Sequence, residues 1–360
     1  MLLKSLTTMR VGGEARSLLE PADRDALIEA ALEAWGSGDD WLILGGGSNL
    51  VIGDDGFDGT VIRVVTTGIS REAAPEGVVR IRVQAGEPWD DLVTKTVGWG
   101  WAGLEALSGI PGSTGAAPVQ NIGAYGQELS DTLVAVEWLD YLTGDIDWIS
   151  AEQFGLGYRT SIVKEGRQGL VLAVELELIE SPSSTVAYDQ LATALGVSVG
   201  TSVALADVRA SVLRLRASKG MVLAASDPDS VSCGSFFTNP LVGENFARTL
   251  PPETPQWPVE PEPADVVVPL GEEPAVPPQR SDHRVKLSAA WLIERAGISK
   301  GFSLPGSRAA ISSKHTLAIV NRGDATAAEI AELARFVQTR VFSEFGVRLQ
   351  PEPNLVGVTL

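Results

Sequence analysis

The 360-residue sequence is poor in several residue types, and each shortage argues against a class of protein. Cys233 is the only cysteine, so the chain has neither a disulfide framework nor a zinc cluster. With only two histidines, His283 and His315, a histidine-rich metal site is disfavoured, and we predict no metal. The chain has 28 lysine and arginine residues but 46 aspartate and glutamate residues, which gives a net charge of −18. This balance argues against nucleic acid as a partner, because phosphate backbones bind to basic faces.

Long apolar segments are also missing. No window reaches about 18 uninterrupted apolar residues, the length needed to span a membrane as a helix. The N-terminus carries Lys4 and Arg10 but lacks the apolar run of a signal peptide. We therefore expect a cytoplasmic protein with no membrane partner, and a monomer. Its length favours two or three domains.

Glycine is plentiful, with 38 residues, and it is concentrated in a stretch from Gly109 to Gly126. Five glycines and two prolines in this stretch disfavour a regular helix or a central strand. The pattern predicts an irregular loop with many free backbone N–H groups, which suits a large anionic ligand. An ordinary surface loop is the alternative that composition alone leaves open.

A second glycine loop, Gly45–Leu50, follows a predicted helix over 23–35 and a short predicted strand over 41–44. It is not a G-x-G-x-x-G fingerprint, because Leu50 occupies the last position, and no Lys-Ser or Lys-Thr makes it a P-loop. What remains is a glycine nest suited to a pyrophosphate, with a plain turn as the alternative.

Periodicity predicts further elements along the chain. Strands are expected over 61–65, 78–83, 134–139, 170–178 and 316–320, and helices over 90–97, 150–154, 189–195, 205–219, 286–296 and 326–345. The segment 250–282 holds much of the proline and many acidic residues, and we interpret it as an extended insertion without chemistry.

Three residues stand out for their chemistry. Arg159 follows a predicted short helix, where it is either a solvated charge or a substrate clamp. Cys233 is either a nucleophile or a buried, inert thiol. Glu352 lies between two prolines, which exclude a central position in a sheet, so it is either a solvated edge residue or a placed catalytic group.

Six motifs occur together in the order typical of one family. The chain resembles the UDP-N-acetylenolpyruvoylglucosamine reductases over nearly its whole length, apart from the proline-rich insertion. The motifs are Thr8–Gly13, Leu44–Leu50, Ile110–Ser113 with Gln120–Gly126, Gly157–Ser161, Gly234–Pro240 and Leu349–Glu352.

This resemblance implies a mixed α/β and α+β fold. Two subdomains would form an FAD-binding module of the vanillyl-alcohol-oxidase type, over 1–67, completed by 346–360, and over 68–200. A C-terminal α+β domain over 201–345, with the insertion at 250–282, would bind the substrate.

The resemblance also implies an activity. The family makes UDP-N-acetylmuramate for peptidoglycan from UDP-N-acetylglucosamine enolpyruvate, using non-covalently bound FAD and NADPH as co-substrate. Hydride passes from the flavin N5 to C3 of the enol ether, and a proton is added at C2.

Site residues are implied position by position. Arg159 and Glu352 match the pair that polarises the substrate carboxylate, and Ser235 matches the proton donor. Tyr125, Tyr188, Lys219 and Asn239 match substrate-binding positions, although Asp189 stands where the family has glycine after the tyrosine. The positions that match cofactor-binding ones are Gly45, Gly46, Gly47, Ser48, Asn49, Leu50, Pro111, Gly112, Ser113, Gly115, Asn121, Ile122, Gly123 and Ala124.

Two alternatives remain open at this point. One is a different FAD-dependent oxidoreductase on the same scaffold, which has no reason to keep Ser235 and Glu352 in these contexts. The other is a non-catalytic flavin-binding or nucleotide-sugar-binding module, which would hold FAD without NADPH turnover.

Overall fold

The first unit of the fold is a small parallel sheet with one helix. In this computed structural model, which describes residues 1–259 and 284–360, β1 and β2 both pair in parallel with β4. Asp23 caps α1 by accepting a hydrogen bond from the N–H of Ala26 at 2.9 Å. The elements are β1 (Ala15–Leu19), α1 (Arg24–Gly36), β2 (Trp41–Leu44), β3 (Leu50–Ile52) and β4 (Phe57–Arg63).

The second unit is built on an antiparallel sheet. Alternate residues of β6, namely Val79, Ile81 and Val83, are buried in the main core, as expected for a strand with one covered face. The strand order is β11-β10-β12-β6-β5, and β7 pairs with β12. The elements are β5 (Ile69–Glu72), β6 (Val78–Gln84), α2 (Trp89–Trp99), β7 (Trp101–Ala102), β8 (Gly123–Ala124), β9 (Gln127–Glu128), β10 (Leu133–Asp140), β11 (Ile146–Ser150) and β12 (Gly169–Glu180).

The glycine-rich stretch between β7 and β8 is more regular than the sequence predicts. Thr114–Gln120 forms a 3-10 helix that contains Pro118 and ends at Asn121, whose φ is 44°. Gly115 makes this possible, because a Cβ there would lie 2.5 Å from the Cβ of Ala85. The N–H of Gly115 instead donates to the carbonyl of Ala85 at 2.7 Å, which fixes the stretch against the sheet.

The predicted helix over 150–154 is wrong. Ser150 ends β11, and a single turn follows, in which the N–H of Phe154 donates to the carbonyl of Ser150 at 2.8 Å. Because Phe154 is buried in the main core, its packing, rather than helix propensity, determines the conformation here.

A helical pair links this sheet to the last domain. β13 (Ser183–Thr185) and β14 (Ser202–Ala204) form an antiparallel ribbon, and α3 (Asp189–Leu195) packs against α4 (Leu205–Ser218). Residues of both helices share one small core, so the expected domain boundary at residue 200 falls between two elements that pack together.

The last domain packs around α7, which begins with a capping box between Thr326 and Glu329. The predicted helix over 286–296 is shorter than expected, because its first residues belong to β17 and Ser288 caps α6. The elements are β15 (Leu241–Gly243), α5 (Glu244–Ala247), β16 (Gln256–Pro258), β17 (Arg284–Leu287), α6 (Ala289–Arg295), β18 (Ala309–Ile311), β19 (Ile319–Asn321), α7 (Ala327–Phe345) and β20 (Asn354–Val356).

Two features of this domain bear on the predicted insertion and on the C-terminal segment. β16 lies inside the predicted insertion and pairs with β17, so this part of the insertion is a strand, while 260–282 lies outside the described residues. β20 returns to the first unit and pairs in parallel with β3. Within the described ranges, no helix has the length and apolar character needed to cross a membrane.

Candidate active site

A cavity of about 630 Å³ opens where the units of the fold meet, a size typical of small-molecule sites. Its wall includes most of the residues that the motifs single out. The predicted site residues that line it are Gly45, Gly46, Gly47, Ser48, Asn49, Leu50, Pro111, Gly112, Ser113, Gly115, Ile122, Gly123, Ala124, Tyr125, Arg159, Tyr188, Lys219, Ser235 and Glu352.

The two glycine loops lie directly against each other in this wall. A Cβ on Gly45 would be 2.5 Å from the Oγ of Ser113, and one on Gly46 would be 2.6 Å from the Cα of Gly112. Gly47 has a φ of 61°, and a Cβ there would lie 2.0 Å from the carbonyl oxygen of Leu6. A side chain at Gly46 would therefore overlap the backbone of the second loop, and one at Gly47 would overlap the backbone of Leu6, whereas one at Gly45 would displace the hydroxyl of Ser113.

The first loop also presents unused donors. Among the described residues, no acceptor takes a hydrogen bond from the backbone N–H groups of 45–49. A run of free amides in a glycine turn is the usual protein site for a pyrophosphate. These residues therefore fit the diphosphate of a dinucleotide such as FAD.

Arg159 is fixed in the cavity wall by contacts at every nitrogen of its guanidinium group. Nη1 donates to the carbonyl of Asn121 at 3.2 Å, Nη2 donates to the carbonyl of Gly123 at 3.3 Å, and Nε pairs with Glu352 Oε1 at 3.2 Å. Its φ of 54° lies in the left-handed region, which a long side chain rarely adopts. Such backbone strain is often found at functional positions.

Glu352 shares this wall and is held at its backbone as well as its side chain. Its N–H donates to the carbonyl of Phe236 at 2.9 Å, and its carbonyl accepts from Asn49 Nδ2 at 3.3 Å. Burial raises the pKa of Glu352, although Arg159 and then Lys164 oppose this effect by favouring the carboxylate. The result is a carboxyl group whose charge depends on its neighbours.

Ser235 follows Gly234, whose φ of 76° turns the chain sharply. The next residue, Phe236, is buried, and its N–H donates to the carbonyl of Leu317 at 2.7 Å. The hydroxyl of Ser235 lines the cavity and bonds to no other described residue. The segment therefore presents a free hydroxyl close to the segment that carries Glu352.

Cys233 does not have the surroundings of a nucleophile. Its thiol is buried and donates to the carbonyl of Leu50 at 3.2 Å. Burial raises the pKa of Cys233 to about 12, so the thiol stays neutral near pH 7. Of the two interpretations of the sequence, the inert thiol is the one that the structure supports.

Tyr125, Tyr188 and Lys219 form a second group on the cavity wall. The two rings meet edge to face with centroids 6.0 Å apart, and Lys219 Nζ lies 5.8 Å from the centroid of Tyr125. Burial and then the nearby Arg216 lower the pKa of Lys219. The buried Nε of Arg216 has no hydrogen-bond partner among the residues that the structure describes. This cluster offers two cations and two phenols to an anionic ligand.

Several residues of the cavity are absent from the predicted site set, although one of them, Gln120, lies in a quoted motif. His315 lines it, and burial followed by the charges of Lys219 and Lys300 lowers its pKa to about 4, so it is neutral at pH 7. Gln120 connects Asn49 to Glu352, accepting at 2.7 Å and donating at 3.4 Å. Because the chain has only two histidines, His315 could have been singled out from the sequence, whereas nothing in the sequence pairs Gln120 with Glu352.

Two predicted site residues are not among those that line the cavity. Asn121 is buried, and its side chain holds Glu128, Ser130 and the carbonyl of Gly157. Asn239 lies in a separate groove, where its Oδ1 accepts from the N–H of Ala289 at the start of α6. Their ligand contacts remain predictions, and the side-chain bonds seen here belong to the framework.

The described residues contain no group of three or more histidine, cysteine, aspartate or glutamate side chains arranged to hold a metal ion. The cavity wall offers amide donors, cations, phenols, several hydroxyl groups and the carboxyl group of Glu352. This set suits the binding of phosphorylated organic molecules and the handling of a proton.

Comparison with known families agrees with this geometry. The family model described as "FAD binding domain" matches residues 15–150, and the one described as "UDP-N-acetylenolpyruvoylglucosamine reductase, C-terminal domain" matches 227–356. The first range contains both glycine loops, and the second contains Ser235 and Glu352. The fold is thus an FAD-binding module followed by the C-terminal domain of this family.

Individual relatives cover the whole chain. A UDP-N-acetylenolpyruvoylglucosamine reductase of Leifsonia xyli subsp. xyli is 60% identical over 372 residues, covering 99% of this chain and 98% of that protein. One of Saccharopolyspora erythraea is 46% identical over 361 residues, covering 99% and 95%. The crystal structure of a Thermus caldophilus UDP-N-acetylenolpyruvylglucosamine reductase matches with a TM-score of 0.63 and 27% identity, covering 99% of this chain and 97% of that one. The chain therefore belongs to the UDP-N-acetylenolpyruvoylglucosamine reductase family.

Proposed function

We propose that this chain is an FAD-dependent oxidoreductase that reduces UDP-N-acetylglucosamine enolpyruvate to UDP-N-acetylmuramate with NADPH, a step in peptidoglycan precursor synthesis. One observation carries the proposal. Arg159, Ser235 and Glu352 line the same cavity as the two glycine loops. The resemblance gives these three residues their roles, and the cavity offers a place where all of them meet one substrate.

The glycine loops are the proposed FAD site. The free amides of 45–49 would hold the pyrophosphate, and Gly112 and Ser113 would lie beside it. When bound, FAD supplies the hydride chemistry that protein side chains lack, taking a hydride from NADPH and delivering it to C3 of the enol ether.

Arg159 is placed to bind the substrate carboxylate. Conjugate addition at C3 builds negative charge on C2 and on that carboxylate, so a fixed cation stabilises the charge as it develops. The carbonyls of Asn121 and Gly123 orient the guanidinium before substrate arrives. Glu352 pairs with Nε of Arg159 and so prevents rotation of the planar guanidinium group.

Ser235 is the proposed proton donor. Its hydroxyl would donate a proton to C2, and the resulting alkoxide would regain one from solvent. A serine hydroxyl is a weak acid, so the transfer depends on the developing carbanion and on nearby positive charge. Because no hydrogen bond joins it to another residue within 1–259 or 284–360, this hydroxyl can turn toward substrate.

Lys219, Arg216, Tyr125 and Tyr188 form the proposed site for the substrate diphosphate. The two cations in the cavity wall, Lys219 and Arg216, provide local positive charge despite the net charge of −18. NADPH would use the same cavity before the substrate, because its phosphates need the same cations.

An anaerobic absorbance experiment tests the proposal. The flavin band at about 450 nm should bleach when NADPH is added and return when UDP-N-acetylglucosamine enolpyruvate follows. Bleaching without substrate-driven return favours a different FAD oxidoreductase. A stable flavin band that NADPH leaves unchanged favours a binding module.

We also propose a cytoplasmic location, since the substrate and co-substrate are both phosphorylated nucleotides that the cell interior supplies. We further propose that the protein is a monomer. Light scattering coupled to size exclusion tests the monomer, and cell fractionation tests the location. A dimer or a membrane-bound fraction would contradict these points without affecting the proposed reaction.

A further inference from the structure

We propose that Lys164 is a positioning residue for this reaction: its ammonium group fastens the turn that carries Glu352 to the segment that carries Arg159, and its positive charge beside that turn supports the pairing of Glu352 with Arg159. The inference rests on the proposed function, because it assigns Lys164 to the Arg159–Glu352 pair. Lys164 does not line the cavity itself, so it acts through Glu352.

The contacts of Lys164 reach both ends of the turn. Its Nζ donates to Asn354 Oδ1 at 2.8 Å and to the carbonyl of Glu352 at 3.4 Å. Lys164 belongs to the segment that follows Arg159, in which the hydroxyl of Ser161 donates to the carbonyl of Val119 at 2.6 Å. The lysine thus links two chain segments that are far apart in sequence and that each supply one member of the pair.

Two further contacts show how completely this turn is held. The N–H of Asn354 donates to the carbonyl of Asn49 at 2.9 Å, and the N–H of Glu352 donates to the carbonyl of Phe236 at 2.9 Å. Among the described contacts of the turn, the one from Lys164 alone brings a positive charge to its backbone. Its loss would therefore change the electrostatics of Glu352 while the neutral contacts remain.

Two cations and several neutral groups surround the carboxylate of Glu352. Arg159 Nε lies 3.2 Å from Oε1, and Gln120 Nε2 donates to the same oxygen at 3.4 Å. Cys233 and Tyr158, whose pKa values burial raises, add no charge near pH 7. Lys164 is thus the second cation that favours the buried carboxylate, and solvent around its side chain moderates the effect.

The test compares Lys164→Met, which removes the charge, with Lys164→Arg, which keeps it, and with Lys4→Met as a control at an exposed lysine. Each FAD-loaded protein is reduced with NADPH and mixed anaerobically with substrate across a range of pH. Without Lys164, Glu352 takes up a proton at higher pH, so the acid limb of the reoxidation profile moves upward. We expect Lys164→Met to be about fivefold slower at the acid end and near normal at the alkaline end.

The same experiment separates positioning from simple damage. Lys164→Arg and Lys4→Met should keep the wild-type profile, and reduction by NADPH should change little in any variant. An equal loss at every pH in both Lys164 variants would overturn the inference, and so would an unchanged profile in Lys164→Met. Failure of the unmodified protein to be reoxidised by substrate would overturn the proposed function instead.

Two further measurements keep the inference testable if Lys164→Met folds poorly. Asn354→Asp adds a negative charge beside the same ammonium group, so it should also move the acid limb upward, and an unmoved limb would contradict the inference. In the protein without cofactor, Lys164→Met should lower the melting temperature more at neutral pH than at acid pH, since an ionised Glu352 has then lost a cation. Glu352→Gln should abolish this difference, and its persistence would overturn the role assigned to Lys164.

Discussion

Replacing Arg159 by lysine keeps the positive charge but removes the planar guanidinium group, so it tests the geometry of that group separately from its charge. Both residues are cationic, and both adopt the left-handed φ of 54° at similar cost, so the backbone contribution cancels. Arginine contacts Asn121, Gly123 and Glu352 through three different nitrogens at 3.2, 3.3 and 3.2 Å. A single ammonium group retains one of these contacts in a comparable position.

The size of the effect follows from the two lost contacts. Hydrogen bonds from charged groups contribute about 1.5–3 kcal/mol each, and the long distances here favour the lower value. These two contacts aim the guanidinium before substrate binds, so without them the cation is misplaced relative to the charge that develops on the substrate carboxylate. We expect this to cost about 3 kcal/mol of transition-state stabilisation, which is about 150-fold in rate. Substrate-driven flavin reoxidation should therefore slow by about two orders of magnitude.

Rapid-mixing absorbance separates this half-reaction from flavin reduction by NADPH, which should stay within about threefold of the unmodified protein. Arg214→Lys, at an exposed position of α4, is the matched control and should change neither rate. Equal losses in both half-reactions, or a loss in reoxidation below about threefold, would refute the role of the fork.

Three further outcomes are expected. Ser235→Ala should leave reduction by NADPH near normal and slow reoxidation by orders of magnitude in the same rapid-mixing assay; equal loss in both steps would remove the proton-donor role. The pKa of His315 is lowered from 6.5 to about 4, so protonation of this residue opposes folding. The contribution of neutral His315 to the free energy of unfolding is present above pH 6.5 and is lost as the pH falls toward about 4. Denaturant titrations should show His315→Gln losing less stability than the unmodified protein across this interval, by up to about 3 kcal/mol, and parallel curves would contradict the assignment. Gly46→Ala should weaken FAD binding in a fluorescence titration, because its Cβ would lie 2.6 Å from Gly112, whereas Gly36→Ala, with open space around it, should not; equal affinities would contradict the close contact of the loops.

The sequence predicts well those parts of the site that depend on backbone character. Glycine at 46 and 47 can be predicted because a side chain there would overlap the backbone of Gly112 or of Leu6. The long helix at 327–345 is readable because its cap and its apolar period agree. Local chemistry is sufficient in both cases.

The parts that the sequence does not predict depend on distant partners. Phe154 looks helical, but burial in the main core places it in a turn. The ligand contact predicted for Asn121 stays a prediction, but no local pattern indicates that its amide also holds Glu128 and the carbonyl of Gly157. Lys164 looks like an ordinary surface charge, because its partner Asn354 is 190 residues away. Such roles become visible only when tertiary contacts are known.

The return of β20 to the first unit has a consequence for the order in which the site is completed. Asn49 and Glu352 are in hydrogen-bond contact although 303 residues separate them in the chain. During synthesis, both glycine loops and Arg159 leave the ribosome long before Glu352 exists. A nascent chain could therefore gather its cofactor loops early, but its catalytic pair forms only after the segment beyond residue 345 has been made. Any fragment that stops at α7 lacks this carboxylate as well as the strand that pairs with β3, so an excised FAD module would have to include that final segment to regain them.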